Sequence, residues 1–146
     1  MTKTLSLTLA LVVAIATVSA GQSDGASIAG SWTAQFEGRT FLRLELKTDN
    51  GTITGALSMG NFEVDRQGEV SRADESPRSL TPIFDVKRRA SILTFSRKDG
   101  DSIDRFEVRL LDATNAELKF LLDDEDRKQL AESGVPTPKP IHLVKQ

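Results

Sequence analysis

Any chemistry in this chain has to start from very few side chains. Its 146 residues hold one histidine, His142, with no cysteine and no tyrosine. Histidine-cluster metal sites and Ser-His-Asp relays would all have to pass through that one imidazole, and a Cys-His pair has no thiol. His142 lies in the apolar stretch Ile141-His142-Leu143-Val144. Its neighbours by alternation, Pro140 and Val144, give no polar partner, so it reads as an exposed or cross-strand-paired histidine. No G-x-S-x-G or H-E-x-x-H motif is present, and no catalytic residue and no enzyme activity are expected.

The carboxylates offer two clusters. Asp123, Asp124, Glu125 and Asp126 are consecutive; on a helix they point about 100° apart and cannot converge on one ion, whereas a helix N-terminus favours negative charge. Asp99-Gly100-Asp101 with Asp104 sits on a loop that could gather calcium ligands. Asp-Gly is first of all hairpin-turn chemistry, and neither a metal nor a cofactor is expected. Lys87-Arg88-Arg89, with Arg97 and Lys98 across the next hairpin, reads as a basic patch for an anionic ligand or partner, against the plainer reading of wet turn tips. Asn50-Gly51-Thr52 has the form of a glycosylation sequon, and a tight turn accounts for it equally well.

The elements that must position these groups are strands. Ile28, Gly30, Trp32, Ala34 and Phe36 alternate with polar residues, the period-two pattern of a sheet with one wet face. Leu42, Leu44 and Leu46 repeat it up to the turn Asp49-Asn50-Gly51, and Ile53, Leu57 and Met59 repeat it again, with Gly55 where a barrel strand has to bend. Phe62 and Val64, then Glu69-Val70-Ser71, suggest short strands, and Arg72–Ser79 reads as the longest loop and a rim element. Further hairpins follow through Phe84 and Val86, a basic turn at Lys87-Arg88-Arg89, Leu93 and Phe95, the acidic turn at Asp99-Gly100-Asp101, Phe106, Val108 and Leu110, then Leu118 and Phe120. Asp123–Ser133 changes period. Its acidic start and the following Gly134 mark a short helix with little apolar face, expected against one end of the barrel. Pro136, Pro138 and Pro140 form an extended spacer, and Ile141–Lys145 makes the closing strand. The fold expected is all-β: one up-and-down antiparallel barrel of about eight strands with a short helix before the last.

At the front, Met1-Thr2-Lys3, an apolar run from Leu5 to Val18 and Val18-Ser19-Ala20 have the order of a cleaved export signal over residues 1–20. A flexible leader, 21–27, precedes a barrel domain, 28–146. The run is too short and too rich in Ser and Thr to favour staying as a membrane span. The mature chain is expected to be secreted or periplasmic, with a core that stands without disulfides. Nineteen basic against twenty-one acidic residues, a net charge of −2, exclude the basic surplus of a nucleic-acid binder.

Gly30-Ser31-Trp32 resembles the G-x-W signature of the calycin superfamily: lipocalins, fatty-acid-binding proteins and avidins. The opening GSWTAQFEGRTFLRLELKTDNGTITGALSMGN is similar to that of an avidin domain, and FLLDDEDRKQLAESGVPTPKPIHLVK is similar to its close. The resemblance implies an eight-stranded up-and-down barrel. It does not carry biotin binding, since Ala34 and Leu57 stand near the family's ligand-bonding Asn and Tyr, and Trp32 is the sole tryptophan.

The interior expected from alternation contains Trp32, Phe36, Leu42, Leu44, Leu46, Ile53, Leu57, Phe84, Val86, Leu93, Phe95, Phe106, Val108, Leu110, Leu118 and Phe120. Such a barrel either is filled by its side chains or leaves room for one small ligand. The first expectation is a carrier of a small apolar or amphipathic ligand, held by Trp32, Phe36, Leu44, Leu57, Phe95, Phe106 and Phe120, with Arg88 and Arg89 at the rim. The alternative is a filled barrel that binds a protein, as a secreted protease inhibitor or an envelope-associated accessory protein would.

Overall fold

The structure is a computed structural model that describes residues 27–146. The expected export signal and most of the leader lie outside the described residues. The strands are β1 (Gly30–Phe36), β2 (Arg39–Asp49), β3 (Thr52–Met59), β4 (Phe62–Val64), β5 (Val70–Ala73), β6 (Thr81–Arg89), β7 (Ile92–Asp99), β8 (Ser102–Leu110), β9 (Asn115–Phe120) and β10 (Ile141–Lys145), with α1 (Asp124–Glu132) before the last. Eight of them close an antiparallel barrel in the order β1-β10-β9-β8-β7-β6-β3-β2, and β4 and β5 form a separate hairpin. Apart from β1 and β10, which close the barrel, every neighbour is next in the chain once that hairpin is set aside, so the topology is a meander, as the alternation and the calycin resemblance imply.

Tight turns do the joining. Glu37 (φ 49°) with Gly38 (φ 77°), and Asn50 (φ 48°) with Gly51 (φ 79°), take the positive φ that two-residue hairpins demand. Gly55 has a different reason to be glycine: a Cβ there would collide with the Glu45 carbonyl oxygen on the paired strand, so β3 curls over β2 where the barrel must bend.

Three elements differ from the sequence-based expectation. Lys87-Arg88-Arg89 is not a turn; β6 runs through Arg89, and the chain reverses at Ala90 (φ 52°). Phe84 is not an interior residue. Asp85 adopts φ 50° in a register shift between Phe84 and Lys87, Ile83 turns inward, and Phe84 stays 39% exposed on the outer face. A bulge resets the in-and-out alternation of its strand. A second bulge opposite Ala34/Gln35 places Phe41 beside Leu42, and both are buried. The helix begins on a capping box: the Asp123 side chain accepts from the Asp126 N–H, and Asp126 accepts from that of Asp123. It buries no residue.

The two ends of the barrel are built differently. At the base, the Trp32 indole N–H donates to the Ile28 carbonyl at 2.8 Å, and Lys145 Nζ lies 5.5 Å from the Trp32 ring while donating to the Ser27 carbonyl. At the mouth, residues 60–80 fold back over the opening. The Gly60, Asp74 and Ser76 N–H groups donate to the Phe41, Asn61 and Thr40 carbonyls, and Ser58 Oγ donates to that of Pro77.

Candidate functional site

The barrel interior is the first place to seek a ligand, and side chains occupy it. Trp32, Leu42, Leu44, Leu57, Leu93, Phe106, Leu118 and Leu143 are all 0% exposed, and they form one cluster with Ala34, Phe95, Val108 and Ile141. Rings meet across neighbouring strands: Phe95 of β7 to Phe106 of β8 at 5.4 Å and Phe106 to Phe120 of β9 at 5.1 Å between centroids, each pair directly opposite in its ladder. Phe62, from the β4–β5 hairpin, then lies 5.8 Å from Phe120 and 6.0 Å from Phe41. Separations of this size are those of packed aromatic pairs.

Of the residues expected to hold a ligand, Trp32 is at the base, Leu44 and Leu57 face each other across paired strands, and Phe95 and Phe106 do the same. Phe36 and Phe120 are half-buried. Arg88 and Arg89 pair with Leu93 and Ile92 at the β6–β7 turn, the opposite end from Phe36 and Phe120. The expected rim therefore divides between two ends.

The basic patch does not assemble either. Arg97 pairs with Ile83, far along β6 from Lys87–Arg89, and its side chain is only 11% exposed. It points into the mouth, where Nη2 donates to Asp104 Oδ2 at 2.9 Å, the guanidinium stands 5.7 Å from the Phe106 ring, and Nε is buried without a partner. An inward ion pair was legible in the alternation. Arg97 has the parity of Leu93 and Phe95, and Asp104 that of Phe106 and Val108. Phe62 and Val64 read as a short strand, but three residues do not say where the strand lies, and nothing in them put Phe62 over the mouth.

Two of the surface grooves lie against the proline spacer and the helix. One, of about 470 Å³, opens where β1 and β10 part beyond Thr33 and Val144, beside Gly68–Val70; its floor is the core residues Ala34, Phe41 and Ile141. Its polar walls already have partners: Lys139 Nζ to Glu69 at 2.9 Å, Gln146 Nε2 to Thr33 Oγ1 at 2.8 Å, and a His142 Nε2 to Asn115 Oδ1 bond of 2.9 Å. The sole histidine is thus cross-strand paired. Gly68 (φ 84°) lets this turn meet the proline spacer, since a Cβ would stand 2.5 Å from the Thr137 carbonyl oxygen, and its own carbonyl accepts from Lys139 N–H. The other groove, about 350 Å³, separates α1 from the start of β8 and the end of β9, with Ile103, Leu121 and Leu130 among its walls.

Among the described residues no three His, Cys, Asp or Glu side chains gather as metal ligands would. Asp112, in the β8–β9 turn, is held below the usual carboxylate range by the Thr114 N–H first and then by the Asn115 side chain. It is a turn cap, accepting from both at 2.8 and 2.9 Å. No helix of the described residues is long and apolar enough to cross a membrane. No family model, no curated protein and no solved structure matches the chain.

Proposed function

We propose that this chain is an exported, non-enzymatic protein-binding module of calycin type, with the barrel as a filled scaffold and the outer surface as the working part. The observation that carries this reading is the packing of the interior. A carrier of one small apolar molecule needs a hollow, typically 300 Å³ or more, whereas here the inward side chains Trp32, Leu44, Leu57, Leu93, Phe106 and Leu118 are all 0% exposed in one cluster, and the Phe95–Phe106–Phe120–Phe62 rings join one strand to the next beneath the mouth. Emptying that space would forfeit about 25 cal/mol for each Å² of apolar surface returned to water. The basic, apolar, small-residue order of residues 1–20 supports export. Binding through loops and strand faces on a rigid core fits a chain whose single imidazole is bonded to Asn115.

Native mass spectrometry of the protein purified from its own host tests this. A mass equal to the chain alone, or to the chain with a second protein, is expected. A co-purifying small apolar molecule would return the carrier reading to first place.

A further inference from the structure

One surface combines apolar exposure with a strong imbalance of charge. By register, the outward residues of β6–β9 fall in rows from mouth to base. Lys98 stands beside Ile103; then come Phe84, Ser96 and Arg105, with Leu121 bonded to Arg105; then Lys87, Thr94, Glu107 and Lys119; then Arg89, Ile92, Arg109 and Glu117. Six cations share this face with three carboxylates, Glu107, Glu117 and the bulge residue Asp85, which lines one hollow with Phe84, Lys87, Ile103 and Arg105, a net of +3 in a chain whose overall charge is −2. Glu107 is contacted by both Arg109 and Lys119, at 3.8 and 3.9 Å. Near the mouth the same face exposes Phe84 (39%) and Ile103 (61%).

Next to the mouth end of this face lies its electrostatic opposite. Cap and helix, residues 123–132, carry five carboxylates against Arg127 and Lys128, a net of −3. The helix buries none of its residues and shares a groove with Ile103 and Leu121, so its outer surface is free for another use.

We propose that this face docks a second copy of the same chain, with the α1 helix of each copy lying over the cationic base-end rows of the other. A two-fold axis through the Phe84–Ile103 region brings like apolar residues together and makes each acid-to-base contact twice, which is the self-complementarity an isologous dimer requires. Size sets the expected strength. Four strands about 4.8 Å apart and seven residues at about 3.3 Å give a face of roughly 400 Å². With the helix added, about 1,100 Å² in total is buried, at the weak, reversible end of specific interfaces. A dimer of this kind forms at micromolar or higher concentration and weakens as salt screens it. It does not depend on whether the barrel is filled, since a hollow barrel would present the same outer face.

The test is sedimentation equilibrium of the chain without residues 1–20 over a concentration series, at low and at high salt. A dimer that dissociates with salt is expected. Lys87→Glu with Arg89→Glu, and separately Glu125→Lys with Glu132→Lys, should each weaken it by roughly tenfold or more. Mixing the two variants should restore association to within about threefold of the original, because the reversed charges then face each other. All four positions are exposed, and circular dichroism confirms that each variant keeps its fold. A monomer at every concentration, two variants that associate like the original, or a mixture that fails to recover would each overturn the proposal.

Discussion

Truncating Phe106 to alanine separates a filled barrel from a hollow one. The ring is 0% exposed, lies between Phe95 and Phe120 at 5.4 and 5.1 Å, and has the Arg97 guanidinium 5.7 Å from its centroid. In a packed interior the substitution removes the transfer free energy of the ring and leaves a void that rigid neighbours cannot close, about 3 to 5 kcal/mol together. The neighbours here are strands of a closed barrel, fixed by ladders on both sides, so the upper half of that range is expected. The assay is urea unfolding, with the change read in the midpoint at constant slope. A second readout follows from the void: an apolar, ring-sized hollow stays dry and takes benzene, so saturating benzene should recover part of the loss in Phe106→Ala and do nothing for the original chain. A loss below about 2 kcal/mol, the value for a side chain bordering open space, would refute the reasoning. So would equal stabilisation of the unsubstituted protein by benzene.

Two further outcomes are expected. Asp104→Asn should cost about 1 to 3 kcal/mol in urea unfolding, because it leaves the Arg97 guanidinium, 11% exposed, without its close carboxylate; the pair Arg97→Met with Asp104→Leu should be milder than that single change, since replacing both partners of a buried ion pair is often near neutral. Asp112 titrates below the usual carboxylate range, so its bonds to Thr114 and Asn115 add stability that is full above the unfolded-state value and is lost as pH falls through the lower folded-state value. Carbon-13 NMR of the Asp112 carboxyl should show that low midpoint, and Asp112→Asn should make stability less steep in the acid range.

How much of this was legible beforehand depended on whether a period was long enough to read. Strands of six to nine residues such as β8 and β9 alternate cleanly, and their inward residues Phe106 and Leu118 are fully buried. The helix announced itself through its acidic start, Asp123–Asp126, and Gly134 just past its end; that Asp123 and Asp126 cap it reciprocally is seen only in the structure. Alternation failed at bulges. At Asp85 one residue of positive φ moved Phe84 from core to surface, and opposite Ala34/Gln35 a register shift left Phe41 buried beside Leu42. Bulges are set by the partner strand, which a single strand's sequence does not contain. The contents of the mouth were readable only in part. Parity places Arg97 and Asp104 inside, but the lid over them depends on Phe62, in a three-residue strand that meets Phe41 and Phe120 only after long excursions of the chain.

That the barrel is a scaffold and not a container is tested most directly by watching its inward methyl groups while ligands are added. Leu44, Leu57, Leu93 and Leu118, all 0% exposed, report on the interior, and the indole of Trp32 reports on the base. In methyl NMR and Trp32 fluorescence titrations with fatty acids of increasing chain length, and with biotin, no saturable shift of any of these signals is expected. Saturable shifts of the four leucines at one common stoichiometry would contradict the filled interior and make the chain a carrier.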